Sequence, residues 1–346
     1  MEEVTIIGAG HQGLAMAAHL SLNQVECYLW NRSAENIKSI LRDKKIICDG
    51  IVKGIAEVKE VSTNIQNLIK RVIMVTTPSS AHEDIAAMLA PFVTKDNIII
   101  LNPGRTFGAM HFVSVLKRHG CKEIPIVAET QTIVYTCRRN AINEVNIYAF
   151  KKNVGVAAYS EKDIGKVLDA IPRCLKQYFV QVPDCMITSM SNVGMVLHCA
   201  PVLMNIGWIE SEKTEFKYYY DGISPSIADV LERIDAERCK VADAMGIKVP
   251  TLREWLYISY AAEGDNLYEQ LQNNSYYREI DAPKTISHRY LEEDIPNGLV
   301  AVETAGNYHG VETPTISTII DVANIVMKKD YRVIGRNYIK LIQEQG

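Results

Sequence analysis

The chain has 346 residues, 47% of them hydrophobic and 23% charged, with a formal net charge of −4. That profile suits a globular protein of two ordinary domains and argues against a nucleic-acid binder, which carries a clustered basic excess. Eight cysteines are scattered with no C-x-x-C pair, which excludes a zinc ribbon or thioredoxin motif and predicts reduced, mostly buried thiols in a cytoplasmic protein.

Residues 4–7 read as a short buried strand that runs into Gly8-Ala9-Gly10-His11-Gln12-Gly13, a G-x-G-x-x-G turn. A helix over 14–22 and a strand over 27–30 follow. The N-terminus enters a strand at once, so no signal peptide is expected. Further strands are predicted at 71–75, 97–101 and 125–128, and helices at 34–42, 65–70, 81–92 and 109–119. This alternation predicts an α/β architecture with a Rossmann-type doubly wound parallel sheet. Residues 46–61 read as an antiparallel excursion inserted in that sheet, with Asp49-Gly50 as a hairpin turn.

Strands over 146–158 and a helix over 161–179 complete the first part. From about residue 186 the pattern turns helical, at 191–209, 226–245, 251–262, 267–273, 291–298 and 313–327. Ser224-Pro225-Ser226 and Thr313-Pro314 mark starts; Gly246 and Gly298 mark stops. The reading is a dinucleotide-binding domain over 1–184 and an all-helical substrate domain over 185–346. No uncharged apolar run is long enough to span a bilayer, so no membrane partner is expected. Helices 226–245 and 313–327 are apolar enough for core or interface, which suits a monomer or homodimer. Tyr218-Tyr219-Tyr220 reads as an exposed aromatic patch or a cleft lip.

The G-x-G-x-x-G context gives each glycine a task. Gly8 permits the tight turn, Gly10 leaves room for a pyrophosphate, and Gly13 lets the helix pack close to the strand. The helix N-terminus, with His11 and Gln12, faces the phosphates. Asn31-Arg32-Ser33 ends the second strand, where an acidic residue would select NAD. Arg32 can instead pair with a 2′-phosphate, with Asn31 and Ser33 adding polar contacts, which favours NADP(H) over NAD(H). Thr77-Pro78 and Asn102-Pro103-Gly104 follow strands at their carboxyl ends, where ribose and nicotinamide lie in this fold.

Reduction also needs a proton donor. His198, near the start of the helical domain and hence near the expected interdomain cleft, suits acid–base work at neutral pH and requires an orienting carboxylate. Several segments carry a resemblance that sharpens this reading. They are Leu101-Asn102-Pro103-Gly104-Arg105-Thr106-Phe107-Gly108-Ala109, Ala128-Glu129-Thr130-Gln131-Thr132, the stretch Leu197-His198-Cys199-Ala200-Pro201 continuing to Asn205, Ile234-Asp235-Ala236-Glu237-Arg238, His288-Arg289-Tyr290-Leu291-Glu292-Glu293-Asp294-Ile295-Pro296 and Gly310-Val311-Glu312-Thr313-Pro314.

With them, the chain resembles the octopine/nopaline (opine) dehydrogenase family over nearly its full length. The resemblance implies reductive joining of an amino acid to a 2-oxo acid through an imine. It makes His198 the acid–base residue, Asp294 its partner and Arg289 a substrate-carboxylate binder. Asn192 and Asn205 flank His198 and could hold a carboxylate or the nicotinamide amide, or simply pack the helix. Gln131, just past a strand end, is a further substrate candidate.

The chain departs from the family where Cys199 stands in place of the usual proline after the histidine. A ketopantoate or glycerol-3-phosphate type reductase shares this architecture, but many of those use a lysine from the helical domain, and 191–209 holds none. A non-enzymatic NADP(H) sensor is the other alternative.

Overall fold

A computed structural model describes residues 2–211 and 215–344. The chain divides into two units, Met1–Ser189 and Met190–Gly346.

The first unit carries two sheets. In chain order its strands are β1 (Glu3–Ile7), β2 (Glu26–Trp30), β3 (Lys45–Gly50), β4 (Gly54–Glu57), β5 (Glu60–Ser62), β6 (Val72–Val75), β7 (Ile98–Leu101), β8 (Ile126–Thr130), β9 (Tyr135–Ala141), β10 (Glu144–Phe150), β11 (Val154–Ala158) and β12 (Phe179–Gln181). The main sheet runs β5-β2-β1-β6-β7-β8-β11-β12. All neighbours from β5 to β8 are parallel, β11 is antiparallel to β8, and β12 is parallel to β11. Strands β6 and β7 are buried throughout, as a sheet covered on both faces requires. Alternate residues serve opposite cores: Ile98 and Ile100 pack with the helix His11–Leu22, while Ile99 and Leu101 pack with the helices His82–Leu89 and Gly108–Arg118.

The expected excursion over 46–61 is antiparallel, but it does not sit inside the main sheet. Strands β3 and β4 pair with each other and join β10 and β9 in a separate four-stranded sheet, while β5 alone returns to the main one. The reason lies in the alternation of β3: Ile46 and Cys48 are buried against the helix His11–Leu22 and its core, and the residues between them face outward.

The helix expected over 65–70 shrinks to one turn, Gln66–Leu68, because Ile69 is already extended toward β6. The helix expected over 161–179 is broken. Ile164–Ala170 and Arg173–Lys176 flank Pro172, which cannot continue a helix.

The second unit is helical. Its 20-residue helix Pro225–Ala244 has Ser224 as N-cap and Pro225 in its first turn. The Asp235–Arg238 stretch of that helix is architectural. Arg238 is fully buried, pairs with Asp235 at 2.7 Å, and donates to the carbonyls of Met190 and Pro250, each at 2.6 Å. Asp235 also accepts from Leu252 N, and Glu237 from Thr315 N and Ile316 N, so both carboxylates cap other helices. Gly298 does not end a helix. The chain passes through a π-helical turn, Ile295–Leu299, straight into Val300–His309. The run Cys185–Met204 is long and apolar enough to cross a membrane by composition, contrary to expectation, but most of it is buried inside the protein. The eight cysteines form no disulfide.

His19, on the helix His11–Leu22, is buried beside the Tyr135 hydroxyl at 3.1 Å and the Phe150 ring at 4.8 Å. Burial pulls its pKa from 6.5 down to about 4. Below pH 6.5 the unfolded chain therefore binds a proton that the folded chain refuses. Stability should fall as pH drops from 6.5 toward 4, by up to about 3 kcal/mol. His19→Phe should flatten this slope in denaturation midpoints measured across that window; an unchanged slope would assign the pH dependence elsewhere.

Candidate active site

The turn after β1 is shaped by exclusion. Gly8 has φ +102°, and a side chain there would meet Thr77 Cγ2 at 2.9 Å. A Cβ on Gly13 would overlap the Gly8 carbonyl oxygen, so only glycine lets the helix approach the strand so closely. Gly10 is different: no atom lies within 4 Å of where its Cβ would be. The backbone is bare on that side, beside the N-terminus of the helix His11–Leu22. Open space over a glycine at a helix N-terminus fits a dinucleotide pyrophosphate.

The side chains around the turn are largely tied to protein. Asn31 accepts from Ala9 N at 3.1 Å and donates to Ser33 O at 2.9 Å, so it locks the turn to the end of β2. Gln12 donates to Tyr135 O, and His11 Nδ1 accepts from Arg139 N. The side chains of His11 and Gln12 thus turn to β9, and what they offer a phosphate is main-chain N–H. Arg32 is exposed, with an equally exposed Asp84 at 3.7 Å. The Ser33 hydroxyl accepts from Asn36 N at 3.4 Å.

At the ends of β6 and β7, Thr77 Oγ1 is buried without a hydrogen-bond partner among the described residues, Pro78 is exposed, and the Asn102 amide turns back to Ile100 O at 2.8 Å. Gly104 packs on Glu129, with room for no side chain. The buried Glu129 carboxylate accepts from Ala109 N and from the hydroxyls of Thr188 and Ser189, all at 2.7 Å. It thereby anchors the segment after β7 at the start of the helix Gly108–Arg118. Gln131 is half-buried next to Gly155 and bonds its carbonyl through main-chain N–H.

In the second unit, His198 Nδ1–H donates to Asp294 Oδ2 at 2.6 Å. The carboxylate is fully buried, whereas 12% of the imidazole side chain stays exposed. His198 lies on the helix Gly194–Met204, and Asp294 precedes the π turn. Gly298 of that turn lets the two segments meet: a Cβ there would stand 2.7 Å from that of Met195. The His198 ring stacks on Tyr290, with centroids 3.9 Å apart and planes 10° apart. Tyr218 donates to His198 O at 2.7 Å. Tyr218 and Tyr219 are buried, so they support the histidine helix from within and form no exposed aromatic patch.

His288 packs edge-on against the same Tyr290 ring at 4.5 Å, and burial followed by the Arg289 and His198 charges lowers its pKa. Arg289 is exposed, its guanidinium carbon 5.9 Å from the Tyr290 ring centroid. Glu292 pairs with Lys329 at 2.6 Å, and Arg289 makes no ion pair among the described residues. Asn192 is buried. Asn205 caps its helix end by donating to Pro201 O and Gly222 O at 2.8 and 2.7 Å. Its amide N–H groups are taken up by packing rather than offered to a ligand.

Residues 181–327 match the family model "NAD/NADP octopine/nopaline dehydrogenase, alpha-helical domain", and residues 3–107 match "NAD-dependent glycerol-3-phosphate dehydrogenase N-terminus". An opine dehydrogenase of Arthrobacter sp. (strain 1C) is 35% identical over 97% of this chain and 94% of its own length. An octopine dehydrogenase solved with NADH and L-arginine superposes with TM-score 0.79 at 18% identity, covering 95% of this chain and 90% of that one. A yersinopine dehydrogenase solved with NADP+ gives 0.77 at 12% identity, covering 99% and 95%.

The two glycines separate binding from folding. Gly13→Val should destabilise the protein by about 1–3 kcal/mol through overpacking. Gly10→Val should keep the wild-type Tm and lose most dinucleotide affinity. Titration of the reduced dinucleotide alongside thermal melts checks both; undiminished affinity in Gly10→Val would refute the placement of the pyrophosphate.

Proposed function

Because the chain belongs to the octopine/nopaline (opine) dehydrogenase family, we propose that His198 and Asp294 form the acid–base pair of its reaction and that NADP(H) is its preferred cofactor. The enzyme is an NAD(P)-dependent dehydrogenase acting on CH–NH donors, which joins an amino acid to a 2-oxo acid reductively. The observation that carries the catalytic assignment is the 2.6 Å contact of His198 with a fully buried carboxylate.

The residues present fit the dinucleotide. Main-chain N–H groups at the start of the helix His11–Leu22, over the bare face of Gly10, suit the pyrophosphate. No carboxylate occupies positions 31–33 to repel a 2′-phosphate, and Arg32 extends into solvent there. When bound, the reduced nicotinamide supplies a hydride to the imine carbon.

The chain's own groups handle protons and position. Asp294 holds the proton of His198 on Nδ1, which leaves Nε2 to exchange a proton with substrate. As the amine nitrogen bonds to the oxo-acid carbonyl carbon, the His198 imidazolium protonates the carbonyl oxygen, and the neutral ring then takes a proton from the nitrogen that has just become cationic. Returned to the hydroxyl, that proton lets water leave as the C–O bond breaks and the protonated imine forms; the ring is recharged from solvent. Asp294 stabilises the imidazolium at each stage without itself being protonated. The Arg289 guanidinium, free of any ion pair among the described residues, suits a substrate carboxylate. Tyr290 keeps the imidazole plane in place between turns of the cycle.

His198→Gln should retain NADPH affinity and lose turnover by about 10²–10⁴. Asp294→Asn, which keeps the shape and removes the charge, should do likewise. The assay follows NADPH absorbance with pools of 2-oxo acids, with and without pooled amino acids. Turnover that needs no amine, or variants that lose cofactor affinity as steeply as activity, would overturn the assignment.

A further inference from the structure

Only β10 of the β9–β10 hairpin overlaps a strand expected from the sequence, and β9 lies along the glycine-rich turn. Four bonds zip it there: Gln12 Nε2 to Tyr135 O and to Cys137 Sγ, Cys137 Sγ to His11 O, and Arg139 N to His11 Nδ1. At the end of this zipper the Arg139 side chain reaches across the turn. Its Nη1 donates to Ala9 O at 2.9 Å, its Nη2 to Asn36 O at 2.5 Å and Ile142 O at 2.9 Å, and its Nε to Ala141 O at 2.9 Å.

These acceptors locate the charge. Ala9 belongs to the glycine-rich turn, and Asn36 lies in the segment just after β2. In this fold the adenosine ribose is read between those two segments. The guanidinium therefore bridges the walls of the ribose site. Four of its five N–H groups go to main-chain carbonyls, and the fifth, on Nη1, has no partner among the described residues. No carboxylate pairs with it either; burial alone lowers its pKa. It is a held, uncompensated positive charge. Arg32 is its opposite: 83% exposed, beside an exposed acid, and held by no other bond among the described residues. Ordering such a long free side chain on a ligand carries an entropic cost that the clamped one has already met in folding.

We propose that Arg139 sets selectivity for a dinucleotide bearing a phosphate on the adenosine ribose, with Arg32 in an auxiliary role. The inference rests on the NADP(H) reading above and deepens it. The clamp also joins the two loops, so a purely structural role has to be distinguished from a selective one.

The experiment is equilibrium titration of the full chain with NADPH and with NADH, for wild type, Arg139→Gln, Arg139→Lys and Arg32→Gln, alongside thermal melts. We expect Arg139→Gln to weaken NADPH binding on the order of tenfold, as loss of a charged hydrogen-bonding partner does, while NADH affinity barely changes. Arg139→Lys, which keeps the charge, should retain part of the preference, and Arg32→Gln should shift it less than Arg139→Gln. Equal loss of NADPH and NADH affinity in Arg139→Gln, or an unchanged ratio, overturns the inference and leaves the NADP(H) reading standing. A wild-type protein that binds NADH more tightly than NADPH overturns both. An Arg139→Gln chain that does not fold leaves the decision to Arg139→Lys against Arg32→Gln: a ratio that moves more in Arg32→Gln refutes the assignment.

Discussion

An imidazole and a carboxylate 96 residues apart in the chain meet at 2.6 Å, and much of the helical unit is arranged around that meeting. A buried carboxylate is tolerated only when its charge is answered by hydrogen bonds. His198 supplies Asp294 with one such bond. Three features do the holding. Gly298 removes the side chain that would keep the π turn away from the histidine helix. Tyr290 stacks on the imidazole face. Tyr218, buried, bonds the main chain at His198 itself. A π turn directly after Asp294 widens the local helix, a distortion that recurs at functional positions.

The first unit works by a different principle. At its glycine-rich turn the face left open is bare backbone at Gly10, and several side chains nearby keep that backbone in place. Asn31 and Gln12 bond protein, and Glu129 anchors the segment after β7 through one main-chain N–H and two hydroxyls. Motif residues thus divide into those that face open space and those that hold the ones that do. Asp235, Glu237 and Arg238 are of the second kind throughout, since two carboxylates cap neighbouring helices and the arginine ties down two loops. Identity of a motif with a functional family is therefore no guide by itself to which of its members touch ligand.

Much of this was legible beforehand. The strands β1, β2, β6, β7 and β8 were found within a residue or two because each is a compact apolar run bounded by turn residues, and the glycine turn announced its own neighbours. The helix Pro225–Ala244 was legible from its N-cap and its stop at Gly246. The hairpin β9–β10 was only half seen. Strand β9 exposes Thr136, Arg138 and Asn140, so it lacks the apolar density that periodicity detects. Gly298 was misread as a stop because a glycine that permits close packing and one that ends a helix look alike in one dimension. Asn205 was a fair candidate by spacing, and only its two carbonyl partners assigned it to packing.

Local chemistry, then, was written in the sequence: where glycine is obligatory, where a helix may begin, and which residue types can move a proton or hold a carboxylate. Those properties depend on neighbours a few positions away, and short-range sterics and capping suffice to reveal them. The tertiary structure alone decided the pairings. Which carboxylate meets His198, which sheet receives residues 45–57, and where the Arg139 charge comes to rest all depend on contacts between segments dozens of residues apart. Such contacts are chosen by collective packing of the whole core, and no short window of residues carries that information.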